Sequence, residues 1–446
     1  MDRGQIAARP PAGDTGDRIG WAEVFTERSL EIRGDLEDHE IRLMVRTASG
    51  IAVRGSIPGA DHFAAATVPP DESARPVARR LLGQARLGDA GTDLADLARF
   101  PAGQALDPHD AVVAVHEALR GIDEGVRDAG ADASRAVVRL RLRHYRVACT
   151  DGVDVTESGL HIHLVTEAFD GASAGGAGAA LTDLADLERA GHGLGCRAGY
   201  QARRLARAVR PESRRCAVVF APVAAGVLVH EVVGHSLEAD AVAAGSALWR
   251  TRDTAFGPPE LSIWDDGRSA GAWEAVAADE EGTPLEQTKL VVGGVVSGLA
   301  TDRTAAVRLG LPRSSGHARR GGFAHRPAAR VRHTIVGNGT DSVASLIAGT
   351  GDGVWIEAVE SGEANVRDGR FTIRVTEGRR IRNGRLGETL AAFTVTGTLA
   401  DFGRLDGLGD DGTSHHALCG RGTHWLPVSG VTPTIRLPLA DVHGGA

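Results

Sequence analysis

AAGVLVHEVVGHSLEAD, Ala224–Asp240, is the stretch from which the rest of the chain is read. Small and apolar residues run into a His-Glu pair, and a second histidine follows at His235. Two imidazoles and a carboxylate on one helix are the ingredients of a hydrolytic zinc site. The common H-E-x-x-H spacing stacks its histidines on one helix face. Here the spacing is five, and an ideal helix would set the two rings roughly 140° apart. For His230 and His235 to reach one metal, the helix must widen locally. A single π-turn does this, and Gly234 eases it. The bland alternative is a buried histidine pair satisfied by backbone groups.

Around this helix the chain has 446 residues, enough for two or three domains with full cores. Hydrophobic content of 42% and charged content of 24% suit a globular protein without membrane spans. Lys289 is the only lysine among 50 basic residues, and the net charge is −8. That balance argues against a nucleic-acid binder. Cys149, Cys196, Cys216 and Cys419 are far apart and form no CxxC pair, so a reduced compartment is expected. The N-terminus has charges and prolines but no apolar core, so it does not read as a signal peptide. No run approaches the roughly 18 apolar residues of a membrane span. The chain reads as cytoplasmic.

In chain order, residues 1–17 read as disordered, and Trp21–Ser29 as a short helix. Ile41–Val45 and Gly50–Arg54 read as two strands about a Ser-Gly turn. Asp71–Leu87 has helical spacing. Pro108–Ala129 is a clearer helix, with Asp107 as N-cap and Pro108 in the first turn. Val137–Val147 and Leu160–Phe169 alternate apolar and polar residues and predict an antiparallel hairpin. His161 and His163 share one face of the second strand and read as exposed histidines rather than ligands. The glycine-rich Gly171–Ala180 reads as a surface loop, and Leu181–Arg207 as helix broken near His192–Cys196.

A boundary is placed near Arg210–Arg215, before the apolar strand Cys216–Ala221 that leads into the histidine helix. Beyond it, candidate strands are Leu261–Trp264, Thr288–Val292, Val295–Ala300, Thr334–Val336, Gly353–Val359, Arg370–Ile381 and Leu390–Gly397. Asn383-Gly384 marks a tight turn. The second half therefore reads as a curved sheet or barrel carrying one metal-bearing helix.

Catalytic zinc takes three protein ligands and leaves a position open. Cys419, within SHHALCGRGTHW, is a candidate third ligand, since a metal stabilises a thiolate. His416 competes with it, and His415 more weakly. Glu238 and Asp240 follow one to two turns after His235 and are candidates to orient an imidazole. His317 and His325 are candidates to contact an oxyanion, and His424 to line the substrate channel.

With HEVVGHSLEAD at His230–Asp240 and CGR, PVSG and PTIRL after Cys419, the sequence resembles the TldD/PmbA family of metallopeptidases. Further blocks support the likeness: Asp265-Asp266, Glu281–Pro284, Thr301–Arg303 and GHARRGGFAHRP at Gly316–Pro327. The resemblance implies zinc held by His230, His235 and Cys419, with Glu231 as general base on the zinc-activated water. It implies an α+β chain: a mixed α/β N-terminal domain over residues 18–212, and a β-rich catalytic domain over 213–446. It also implies a peptide or amide substrate, and a heterodimer with a motif-lacking relative or a homodimer. Two segments depart from the family pattern. Ala329–His333 stands where Pro-Arg-x-Thr-Asn is usual, and Thr423-His424 where Gly-Gln is usual. These leave specificity open, with a small-molecule amide hydrolase of a natural-product pathway as alternative. A non-catalytic regulatory subunit is a further alternative.

Overall fold

The computed structural model describes residues 20–57, 60–69, 71–87, 91–101, 106–421 and 424–444. The segment expected to be disordered, residues 1–17, lies outside them.

The first half is built on a six-stranded antiparallel sheet. Strands β1 (Trp21–Glu37), β2 (Glu40–Ile57), β3 (Ala60–Thr67), β4 (Ala133–Cys149), β5 (Asp154–Asp170) and β6 (Ser173–Leu181) lie in the order β3-β2-β1-β4-β5-β6. The β4–β5 hairpin is as the alternation predicts. Helix α1 (Ala74–Gln84) packs on β2 and helix α2 (Gly91–Asp96) on α1 and β1, while α3 (Pro108–Asp128) and α4 (Leu184–Leu205) pack as a pair. Asp107 accepts from His109 N at 2.8 Å and caps α3. Val115, Leu119, Ile122, Leu187 and Leu194 are fully buried, and with Val138, Leu140 and Ile162 of the sheet they form one core.

Four local expectations are overturned here, each by packing. Trp21–Ser29 is not helix but the start of β1. Its Glu23 and Glu27, which suit a helix surface by propensity, are at most 1% exposed and lie against arginines. Glu40–Ile57 is one strand rather than two, because Gly50 does not turn but leaves room for the Phe323 ring, 2.2 Å from where a Cβ would stand. The glycine-rich 173–181 segment is strand β6 rather than a loop. There, a Cβ at Gly175 would lie 2.2 Å from the Ala202 nitrogen of α4. Helix α4 runs unbroken through His192–Cys196. A Cβ at Gly195 would meet the Ile122 carbonyl at 2.1 Å, so these glycines let α3 and α4 touch backbone to backbone.

In the second half β7 (Arg214–Phe220) joins a barrel. Gly353–Asn365, β7, Ile435–Gly444, Phe393–Thr398 and Arg370–Arg382 pair in that order, and the first also pairs with the last, closing five strands. Phe220, Ile356, Ile373, Val395 and Leu437, each fully buried, belong to its core. Asn383 and Gly384 both have positive φ, 47° and 68°, and make the expected hairpin turn to Arg385–Leu390. The single strand expected over Leu390–Gly397 is two. Ala391 N donates to Val209 O at 3.0 Å, which takes the backbone out of the ladder between Leu390 and Phe393. The Val295–Ala300 strand shortens to Val295–Val296. A second sheet runs Val295–Val296, Thr288–Val292, Ile263–Asp265, His333–Val336, His424–Thr432 and Thr413–Arg421. The last two form a hairpin at its edge.

Buried ion pairs hold the N-terminal sheet to the second half. Arg143 bridges Glu27 and Glu280, both at 3.1 Å. Arg54 reaches Glu281 and Arg320 reaches Glu23. The Glu281–Pro284 and Gly316–Pro327 blocks thus carry residues that dock the two halves. No helix among the described residues is long and apolar enough to cross a membrane.

Candidate metal centre

Pro222 opens helix α5 (Pro222–Val229), which leaves β7 and runs into the core on Ala224, Ala225, Leu228 and Val229. The chain then widens into a π-turn over His230–Gly234 and tightens into a 3-10 turn over His235–Leu237. The five-residue spacing is accommodated as expected. The His230 and His235 rings come together with centroids 4.6 Å apart and planes at 73°. Cys419 arrives from the edge hairpin, its Sγ 3.3 Å from His235 Nε2. One nitrogen from each histidine and the Cys419 sulfur all lie within 4.8 Å of one another, which suits a shared ion.

Strand alternation settles which hairpin side chain faces the histidines. His415 and Cys419 have the same parity and point to that side, with His415 packed over Gly226. His416 points the other way and meets the edge of Trp273 at 6.1 Å. Burial, with the nearby His230 charge, pushes the His415 imidazole down to about 4.

The electrostatics are those of a donor set. Burial pushes the Cys419 thiol up, but the His230 and His235 imidazoles beside it outweigh burial and hold it at about 5. Burial opposes protonation of His235, while the Glu238 charge and the Cys419 thiolate raise it well above its ordinary value. A thiolate beside two imidazoles is the protonation pattern a divalent ion replaces on binding. His230 Nε2 is buried and has no hydrogen-bond partner. An orphaned imidazole nitrogen next to a thiolate fits a zinc ligand.

Glu231 stands on the same π-turn, one carboxylate oxygen 4.0 Å from His235 Nε2 and 17% of its side chain exposed. Burial raises its pKa. Glu238 is fully buried and accepts from His235 Nδ1 at 3.1 Å and from Val331 N at 3.3 Å. That bond turns His235 Nε2 toward Cys419. Asp240 is exposed and lies 3.2 Å from Arg330 Nη1, which also reaches Glu238 at 3.4 Å.

Sequence reasoning passed over Arg330 as a departure in a loop. Its signal was one of two arginines in the Ala329–His333 segment, legible only once Glu238 is seen to be buried. His317 is not brought to this cluster. It is buried with Nε2 3.1 Å from Asp265 and Nδ1 2.9 Å from Ser315 Oγ, so it anchors the second sheet. His325 lines a separate cavity under the N-terminal sheet. The side chain of His424 lies outside the described residues.

Residues 213–444 match the model of the PmbA/TldA metallopeptidase C-terminal domain. A metalloprotease of Methanothermobacter thermautotrophicus is 29% identical over 302 residues, 66% of this chain and 65% of that protein. A zinc metalloprotease TldD homolog of Saccharolobus solfataricus is 27% identical over 236 residues, 52% of this chain and 53% of that protein. The chain thus spans about half to two thirds of the length of these relatives. TldE from Thermococcus kodakarensis superposes with a TM-score of 0.72 over 95% of this chain and 97% of that one. At 16% identity, that likeness speaks for the fold alone. The matched segment begins one residue before the barrel strand β7 and takes in both the π-turn histidines and Cys419. The chain belongs to the TldD/PmbA family of metallopeptidases.

Proposed function

We propose that the chain is the metal-bearing member of a zinc peptidase that hydrolyses peptide or amide bonds, with His230, His235 and Cys419 as ligands and Glu231 as general base. The observation that supports it is the meeting of two imidazoles, one opening the π-turn and one just past it, with one thiolate from 184 residues away, all within 4.8 Å. A purely structural cluster would not need the buried, unpartnered His230 Nε2.

A zinc ion in such a donor set supplies Lewis-acid activation of a water and of the scissile carbonyl. The remaining roles fall to the chain's own groups. Glu231 is mostly withdrawn from solvent, and burial raises its pKa, which favours its taking a proton and returning it to a leaving amine. Glu238 holds His235 through Nδ1, and Arg330 donates to Glu238 at 3.4 Å. Cys419 on a strand and two histidines on a helix fix the geometry from two rigid elements. Pairing with a motif-lacking relative or a second copy belongs to the same proposal.

Replacing Glu231 with Gln tests the base. The variant is expected to keep its zinc and to lose turnover of unfolded peptides by at least about a hundredfold. Full activity with full metal content would remove Glu231 from the role.

A further inference from the structure

A second cavity, of about 450 Å³, lies between the open face of the N-terminal sheet and the back of the Thr413–Arg421/His424–Thr432 hairpin. Leu418 and Pro427, an opposed pair of that hairpin, line it. Cys419 and Leu426, the next pair, face the other way, so the hairpin is a wall between the cavity and the metal cluster.

Register decides what the sheet presents. The β1–β4 and β4–β5 pairings set Arg33, Arg139 and His163 side by side. Glu31, Arg141 and His161 form the adjacent row. Most of these charges are already engaged. Arg141 binds Glu31 at 3.1 Å, Arg143 binds Glu27 and Glu280, Arg33 binds Asp35 at 2.7 Å, and Glu274 is held by Arg319 and Arg332.

Arg139 differs, having no carboxylate partner among the described residues. It is half-buried beside the like charge of Arg33, and its guanidinium lies 5.7 Å from the Trp425 ring centroid. Burial and the Arg33 charge lower its pKa and outweigh the opposing effect of Asp35. His163 stands next to it in the register with Nδ1 buried and unpartnered, its ring 6.0 Å from Trp273. Burial pushes this imidazole down to about 4, so it is neutral at pH 7 and able to donate one hydrogen bond. Trp273, Trp425, Leu418 and Pro427 supply apolar walls.

We propose that this cavity binds a carboxylate carried on an apolar body, with the carboxylate between Arg139 and His163 and the body against Trp273 and Trp425. An anion there relieves the Arg33–Arg139 repulsion, and the volume suits a small molecule or one terminal residue. The chemistry is shared by a free acyl or aromatic acid and by the C-terminal residue of a peptide.

Calorimetry on metal-free His235→Ala protein tests this, because no ion is then present to capture a carboxylate and the result does not depend on the peptidase reading. N-acetylphenylalanine is expected to bind one per chain. N-acetylphenylalaninamide should bind at least about tenfold more weakly, and Arg139→Ala should lose the acid by a similar factor. An octapeptide ending in a free phenylalanine carboxylate distinguishes the sources. Binding as tight as the small acid assigns the site to peptide termini, and failure to bind assigns it to a free acid. Equal affinity for acid and amide, no heat with either, or unchanged binding in folded Arg139→Ala overturns the proposal.

Discussion

At the scale of single residues, the decisive feature is the charge state of Cys419. A buried thiol should be hard to ionise, as burial makes Cys149, yet two imidazoles reverse the effect at Cys419 and hold it at about 5. Its pKa is depressed relative to the unfolded chain, so the thiolate persists as pH falls and is lost only through about pH 5. In chelator-stripped protein, alkylation at Cys419 by iodoacetamide should therefore stay nearly level from pH 8 to pH 6 and fall below about 5, read by peptide mass spectrometry. An ordinary thiol would lose about tenfold in rate per pH unit over that range. The latter result would mean that the imidazoles do not hold the sulfur.

The residues of the cluster were legible because histidine, glutamate and cysteine in this pattern carry specific chemistry. His317 and His325 were not, because an isolated histidine in a loop has no pattern that says what it faces. Arg330 was hidden for the same reason, and only the buried Glu238 gives its charge a meaning.

At the scale of elements, periodicity gave most of the strands and the well-capped α3, and it failed where glycine stands for contact rather than flexibility. Helix α4 is the clearest case. The stretch His192–Cys196 reads as a break, but Gly191, Gly195 and Gly199, four residues apart, form the stripe that α3 lies against. Gly195→Ala should lower the midpoint of thermal unfolding, by about 1–3 kcal/mol of stability, although alanine is the better helix former. A gain in stability would show that the helices do not touch there. The π-turn is the opposite case. Its distortion was legible from spacing alone, since two histidines five apart cannot share an ion on a regular helix.

At the scale of the whole molecule, the second half and the N-terminal sheet are joined through charges that are almost fully withdrawn from water. Arg143 is 4% exposed and serves a glutamate from each half. The pairing outweighs burial at Glu27 and lowers its pKa. Arg143→Met takes the arginine from Glu280 and leaves Glu27 only the 3.4 Å contact of Arg141, and urea unfolding should show a loss of about 3–5 kcal/mol. A change below about 1 kcal/mol would mean that apolar contact alone docks the halves. This docking could not be read from sequence, because its partners lie more than a hundred residues apart and look like ordinary surface charges. The same docking encloses the arginine cavity and sets its roof on the strand that carries Cys419.

The most direct test of the account is the zinc content of purified protein, wild type against Cys419→Ser, by elemental analysis after dialysis. The account predicts about one zinc per chain in the wild type and a substantial loss in the variant, with both proteins folded. A wild type without metal, or a Cys419→Ser protein that keeps a full equivalent, would contradict it.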